Sequence, residues 1–282
     1  MPTKISGYVP FYNNRTTVLA ALQSVADQDL DLIEIFALDD GSTDGGQELL
    51  ESRGFRCIHQ PFNQGRGAAR HRAMLEAEGD FVVGCDATNV LPVDFVSQLL
   101  PWFDDPKVAA VAGWIKDPLP RGAVSRWRSR HLFKAHHCMT VQHNASLGAG
   151  GCGLIRKSAV LAVGNFNPLL RHSEDEELGK RLLAAGYDIV FDPSATYICN
   201  VRNTLMQVLE RYWRWHAGSD KIDGEISSWK SYLKNIAYSV KVMAWHDITN
   251  GDLTASCISL ICPHYGFWKP RIKIYSSRMS KA

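Results

Sequence analysis

The sequence predicts an α/β fold with a mainly parallel, nucleotide-binding type of sheet covered by helices, and three observations carry that expectation. Short apolar runs of buried-strand length alternate with helix-like segments from residue 4 to residue 112, a pattern that favours parallel strands joined by crossover helices. Acidic residues directly follow two of these runs, on the loops where open α/β sheets bind ligands. Beyond Cys199 only helical spacing recurs, so a helical C-terminal appendage is expected.

Taken in order, Lys4 to Val9 reads as a strand ended by Pro10, with Asn13 or Asn14 placed to cap a helix carrying Val18, Leu19, Leu22 and Val25. Leu32 to Ala37 is the second strand, and Leu38-Asp39-Asp40-Gly41-Ser42-Thr43-Asp44-Gly45-Gly46 leaves its carboxyl end. Ser42, Thr43 or Asp44 is available to cap the next helix. Phe55 to His59, a helix from Gly67 to Glu78, and Phe81 to Cys85 continue the series. Pro92 suits the first position of a helix holding Phe95, Val96, Leu99 and Leu100, and Val108 to Ala112 is a fifth strand.

From Trp114 to Leu147 the alternation stops. Arg121, Arg126, Arg128 and Arg130 crowd around Trp127, and His131, His136, His137 and His143 follow without the spacing of a metal motif. The histidines are expected to be packed or at the surface, and the arginines to form a solvated face or an anion-attracting rim. Gly148-Ala149-Gly150-Gly151-Cys152-Gly153 either lets backbone approach a ligand or makes a tight turn. Ser173 and Glu176 have capping-box spacing for a helix to Ala185, with Gly186 as terminator. Tyr187 to Phe191 and Ala195 to Cys199 are the last strands.

Composition narrows the partners. The 282 residues carry 31 basic and 29 acidic side chains, a formal net charge of +2, so no nucleic-acid partner is expected. Seven cysteines, an odd count without metal spacing, suggest reduced thiols in a cytoplasmic protein. The first strand begins so early that no signal peptide is expected. No apolar run reaches the roughly 18 residues of a spanning helix, so the chain reads as soluble or peripheral.

Two further acidic sites join the first: Asp86, in Asp86-Ala87-Thr88-Asn89 after the fourth strand, and Glu174-Asp175 at a helix start. Carboxylates of this kind can bind a base and ribose, hold a divalent ion between phosphates, or take the proton of an attacking hydroxyl. The ordered set Val9-Pro10-Phe11-Tyr12-Asn13, Asp39-Asp40-Gly41-Ser42-Thr43-Asp44, Asn63-Gln64-Gly65 with Ala69-Arg70, Gly79-Asp80, Cys85-Asp86-Ala87-Thr88, Gly164-Asn165-Phe166, Glu174-Asp175-Glu176-Glu177-Leu178 and Arg181-Leu182 resembles family 2 glycosyltransferases. The resemblance covers roughly residues 4–218. It implies a GT-A fold in residues 1–218, with 219–282 as a helical, Trp-containing extension, and an inverting transfer of sugar from a nucleotide-diphosphate donor.

Position by position, the resemblance implies that Pro10 and Tyr12 border the donor base and that Asp40 or Asp39 hydrogen-bonds it. Arg70 belongs to the donor-binding set. Asp86 matches the first acid of the DxD motif facing ribose and diphosphate, with Ala87 and Thr88 completing that motif. Asp175 matches the general base, with Glu174 beside it, and the Gly151-Cys152-Gly153 backbone would cradle sugar or acceptor. Arg211-Tyr212-Trp213-Arg214-Trp215 resembles the [QR]xxRW signature of polysaccharide synthases, in which the arginine side contacts diphosphate and the Trp borders the acceptor; the same segment equally reads as an amphipathic helix whose Trp residues are core. The departure lies at the metal: Thr88 stands where the last DxD acid belongs, and Cys199-Asn200 where a histidine is frequent. Either Asp86 and water hold Mg²⁺ or Mn²⁺ weakly, or basic side chains neutralise the diphosphate and the reaction is metal-independent.

The acceptor class is a glycan, a lipid-linked glycan or another hydroxyl compound. Trp229, Trp245 and Trp268 with interspersed lysines leave three readings of the tail: a peripheral contact with the cytoplasmic membrane face, a homodimer contact, or closure over the sheet. The rival to an active transferase is a catalytically inactive sugar-nucleotide-binding or scaffold protein, motivated by Thr88.

Overall fold

The computed structural model describes residues 3–116, 122–133, 140–147, 152–216 and 228–279, without the side chains of Trp215, His216, Pro270 and 273–279. Arg121, His136, His137 and Gly148 to Gly151, singled out above, lie outside the described residues. In chain order the elements are β1 (Ile5–Phe11), α1 (Val18–Ala26), β2 (Glu34–Asp39), α2 (Gly46–Glu51), β3 (Arg56–His59), α3 (Arg66–Glu76), β4 (Phe81–Cys85), β5 (Asn89–Val90), α4 (Phe95–Leu99), β6 (Val108–Lys116) and α5 (Ala123–His131). There follow β7 (Cys152–Arg156), α6 (Lys157–Ala162), α7 (Glu174–Ala184), β8 (Asp188–Cys199), α8 (Leu205–His216), α9 (Trp229–Tyr238), α10 (Trp245–Thr249) and α11 (Leu253–Met279).

Packing divides the chain into two compact units, Met1–Pro118 with Cys138–Val201, and Leu119–His137 with Arg202–Ala282. The first contains the whole sheet, in the order β3-β2-β1-β4-β7-β6-β8-β5. Strands β3, β2, β1 and β4 are parallel, as are β6 and β8. β7 runs antiparallel between β4 and β6, and β5 antiparallel on β8, so the sheet is mixed. Buried Tyr8, Phe36, Val82, Phe166, Leu178 and Ile189 are among the residues filling the core between the sheet and its helices. Fully burying one such large apolar side chain stabilises by roughly 1.5–3 kcal/mol.

Several local expectations change. Thr17 and Gly45, not Asn13 or Asn14 and Ser42 to Asp44, stand at the N-caps of α1 and α2, and α4 begins at Phe95, beyond Pro92. Pro10 does not end β1; the strand continues to Phe11 because pairing with β4 covers only Ile5 to Tyr8, so the missing N–H interrupts no ladder on that side. The Ser173–Glu176 capping box does not form: Ser173 has φ +60° and no side-chain cap bond. Cys152 and Gly153, expected in a turn or against a ligand, belong to β7, paired with β4 and β6, and the absent Cβ of Gly153 makes room for the Val111 carbonyl oxygen, which would otherwise stand 2.5 Å away. The two last strand candidates merge into β8, with irregular register against β6.

The second unit explains the arginine-rich stretch. Arg126 grips Asp252 with two bonds of 2.6 and 2.8 Å, and Arg130 pairs with Asp247. Buried Arg128 donates to Asn203 at 2.7 Å. Arg126 and Arg130 of α5 are therefore partners of distant acids, and Arg128 of a distant amide, instead of a solvated face or rim. His131 Nε2 lies 2.8 Å from Asp247, and buried Trp127 donates its indole N–H to Ser259, which donates on to Asp247. α9 runs through a π-helical segment, Ser239–Ala244, into α10, and α11 packs back along them, with Tyr232 stacked on Phe267. Among the described residues no helix is long and apolar enough to cross a membrane.

Candidate active site

The parallel arrangement sets the carboxyl ends of β1, β2 and β4 along one sheet edge, carrying Tyr12, Asp39–Asp40 and Asp86. Helix α3 brings arginines to the same cluster. Its Arg66 and Arg70, four residues apart on one face, meet Asp86 from β4 and Glu174 from the start of α7. Arg70 Nη2 donates to Asp86 Oδ1 at 2.9 Å, and its Nε lies 3.2 Å from Glu174 Oε1. Arg66 Nε lies 3.1 Å from the same Glu174 oxygen and its Nη2 is 3.7 Å from Asp86 Oδ2. Two guanidiniums and two carboxylates thus close a ring.

Glu174 is the most buried member. Neither of its carboxylate oxygens has a hydrogen bond of good geometry, so it is held by ion pairing alone. Burial pushes its pKa up from 4.5, against the lowering effect of Arg66 and Arg70. The Glu174 charge in turn raises the pKa of Arg66, keeping it a firm cation. Asp175 is half-buried, accepts a 2.8 Å bond from the Glu176 N–H, and its charge reaches both Arg66 and Arg70.

The loop that delivers Glu174 and Asp175 is braced on α3. Gly67 N–H donates to the Leu170 carbonyl at 2.9 Å, His71 Nδ1 lies 2.8 Å from the Phe166 carbonyl, and Asn165 Nδ2 donates to the His71 carbonyl at 3.1 Å. Arg171 also donates to Asn63. Only glycine fits at position 67, because a Cβ there would lie 2.3 Å from the Asn167 oxygen.

The first acidic loop has its oxygens fully engaged. Asp40 Oδ1 accepts from Gln60 Nε2 and Gln64 N–H, and Oδ2 from Asn63 Nδ2 and Gly65 N–H, all at 2.8–2.9 Å. Four such bonds fill the acceptor capacity of a carboxylate. Asp39 accepts from the Ser42 N–H at 2.9 Å and faces His59 Nδ1 at 2.7 Å. Both acids are buried. Asp40 thereby fixes the segment that starts α3 and presents Arg66 and Arg70.

Of the other expected residues, Pro10 is half-buried, Tyr12 is exposed, Ala87 is buried, and the Thr88 carbonyl accepts from Asn200 N–H at 2.8 Å. Cys152 is buried in β7, with its sulfur 3.6 Å from that of Cys85 and within 3.3 Å of Asn89 Nδ2. Gly153 lies within the same strand, and Gly151 is outside the described residues. Arg211 and Arg214 sit on α8 in the second unit, and the Trp215 side chain is not described.

Two members of the cluster were not singled out from sequence. Arg66 could have been found from its place directly after Gly65, one turn before Arg70. Tyr8 is buried against Gly84, where a Cβ would lie 3.1 Å from its ring. Burial pushes its phenol pKa up, and the charges of Arg70, Asp86 and Glu174 act on it.

The donor set does not fit a protein-held cation. Both Asp86 oxygens face guanidiniums, Thr88 offers only a weak hard-cation ligand, and Cys199 is buried. Among the described residues no three His, Cys, Asp or Glu side chains converge on one point.

Comparison with known proteins gives the fold and the family. The chain is 25% identical over 220 residues to poly-beta-1,6-N-acetyl-D-glucosamine synthase of Staphylococcus aureus, covering 75% of this chain and 53% of that protein. It thus spans about half the length of that relative. Mannosyltransferase PcManGT from Pyrobaculum calidifontis, solved with GDP-Man and Mn²⁺, superposes with a TM-score of 0.61 at 18% identity, over 99% of this chain and 80% of the other. Staphylococcus aureus TarS 1–349, solved with UDP-GlcNAc, superposes with a TM-score of 0.58 at 16% identity, over 99% of this chain and 92% of the other. These structures establish a GT-A-like fold. The family profile described as Glycosyl transferase family 2 matches residues 6–164, more than half the chain, and the protein belongs to that family.

Proposed function

We propose that this protein is an inverting glycosyltransferase that moves a sugar from a nucleoside-diphosphate donor to a hydroxyl of a glycan or lipid-linked glycan. The observation that carries the reading is the Asp86–Arg70–Glu174–Arg66 ring, which ties the loop after β4 to the start of α7. Asp175, next to the ring, is the general base. It takes the acceptor hydroxyl proton as that oxygen bonds to the anomeric carbon and the bond from that carbon to the diphosphate oxygen breaks. Pro10 and Tyr12 border the base, Asp86 faces the ribose and diphosphate, and Arg66 and Arg70 offset the charge of the departing diphosphate. Arginine suits that role because its planar fork matches phosphate oxygens. Arg211 and Arg214 are assigned to the diphosphate and Trp215 to the acceptor on the [QR]xxRW resemblance. Donor chemistry is supported by the relatives solved with GDP-Man and UDP-GlcNAc.

Thermal-shift screening against nucleotide sugars, followed by a nucleoside-diphosphate release assay, tests the reading. Asp175→Asn is expected to retain the donor-induced shift and lose about 10²–10⁴-fold in turnover. Wild-type turnover in that variant would remove Asp175 from the role. Donor binding without diphosphate release, with every acceptor tried, favours the inactive sugar-nucleotide-binding protein instead.

A further inference from the structure

The second unit carries an apolar surface that the transferase reading leaves unused. On α11, Leu253, Leu260, Ile261, Trp268 and Ile272 are exposed on one face of the helix, while Ala255, Ser259 and Cys262 are buried on the opposite side. From Leu253 to Ile272 the stripe runs about 28 Å at the helical rise. On α9, the π segment and α10, Trp229, Leu233, Val240, Trp245 and Ile248 are exposed as well. Trp229, Leu233, Trp245, Leu253 and Ile272 each leave 62–66% of their surface uncovered. Large apolar side chains left exposed on packed helices point to an interaction site.

Charge decides what covers it. Lys230, Lys234 and Lys241 are exposed on the α9–π segment and have no ion pair among the described residues. The only acids from residue 228 to the end of the chain are Asp247 and Asp252, and both are buried against α5 arginines. A second copy docking by this face would set these lysines near their own symmetry mates with no exposed acid from the same segment to offset them. An anionic bilayer supplies the missing negative charge and an apolar interior together. Trp229, Trp245 and Trp268 have the amphipathic rings favoured at the headgroup boundary. α11, too polar to cross a membrane, suits lying along one.

We propose that the α9–α11 hairpin is a docking surface for an anionic lipid bilayer, seated through the α11 stripe and the exposed indoles and steered by Lys230, Lys234 and Lys241. This surface is independent of the catalytic reading, and its test reads binding, not turnover.

The full chain is sedimented with vesicles of phosphatidylcholine alone or mixed with phosphatidylglycerol, and tryptophan quenching by brominated lipid is recorded in parallel. Binding to the anionic vesicles, with quenching and with weakening at high salt, is the expected result. Lys230→Gln/Lys234→Gln/Lys241→Gln is expected to weaken partition about a hundredfold, at about 1 kcal/mol per lysine near the surface. Leu253→Ser/Leu260→Ser/Ile272→Ser is expected to abolish quenching. All these positions are exposed, and an unchanged thermal midpoint confirms that each variant folds; if the apolar variant does not, the lysine variant decides alone. Absence of binding, equal binding to both vesicle types, or a concentration-dependent dimer abolished by the apolar variant without vesicle binding each overturns the proposal.

Discussion

Replacing Gly67 with alanine tests whether α3 positions the acidic loop. The added Cβ would stand 2.3 Å from the Asn167 oxygen and 2.5 Å from the Leu170 oxygen, where ordinary contact begins at 3.4 Å. Both obstacles are backbone, so the loop or the helix must move by about 1 Å, and tightly packed structure resists such shifts. Overpacking of this kind costs about 1–3 kcal/mol, and stretching the Gly67–Leu170 hydrogen bond adds about 1 kcal/mol. Better helix propensity returns at most about 1 kcal/mol. The expected net loss is therefore about 1–3 kcal/mol, read as a thermal midpoint lower by several degrees, at about 2–4 °C per kcal/mol for a unit of this size. The displaced loop leads directly to Glu174 and Asp175. A misplacement near 1 Å can cost about a hundredfold in rate, so diphosphate release is expected to fall by one to two orders of magnitude while donor binding changes much less. Gly67→Ser should resemble alanine and Gly67→Val should be worse. Wild-type midpoint and rate in Gly67→Ala would refute the bracing role of α3.

Asp40→Asn sets an amide NH₂ against two hydrogen-bond donors in either flip. Unfolding by denaturant should show a loss of about 2–4 kcal/mol from donors left without acceptors, and an unchanged midpoint would contradict the saturated carboxylate. Glu174→Gln carries a pH signature. Below about 4.5, its ordinary pKa, the wild-type carboxyl is protonated in folded and unfolded chains alike and contributes no pH dependence. As pH rises through the raised folded value, the unfolded chain loses its proton first and the folded wild type loses relative stability. The stability of Glu174→Gln relative to wild type should therefore climb with pH from about 4.5 upward; a flat difference rules the assignment out. EDTA is expected to leave most diphosphate release intact, because both Asp86 oxygens are engaged by arginine; complete loss restored by Mn²⁺ would return a cation to the site.

The strands that position the site were legible because β1, β2 and β4 are buried on both faces and read as continuous apolar runs, each followed by Tyr12, Asp39–Asp40 or Asp86. β7 was not legible. Its start lies in a glycine-rich run that reads as a turn or as backbone approaching a ligand, and only close packing against Val111 of β6 accounts for Gly153 inside a strand. Arg66 lies between two glycines, and only its place one turn before Arg70 marks it. Its partner Glu174 is distant in sequence and leaves no local trace. The same holds for Arg126 and Asp252, 126 residues apart, and for Arg130 and Asp247, 117 apart. Charge pairs of such range are properties of the fold, while local spacing records only propensity. Ser173 shows the converse: its capping-box spacing is present, but the αL backbone at that residue leaves the cap unmade.

The brace between Asn63 and Arg171 spans 108 residues of chain, and the guanidinium–carboxylate ring spans a similar stretch. Contacts this distant in sequence carry a large loop-closure entropy. The β1–β2–β3 pairings and the Asp40 contacts, by contrast, join neighbours in the chain. The acidic loop of α7 is thus expected to dock last in folding and to detach first under denaturant, as a small cooperative segment of its own. The protein would then lose its chemistry at a lower denaturant concentration than its sheet, passing through a folded but idle form.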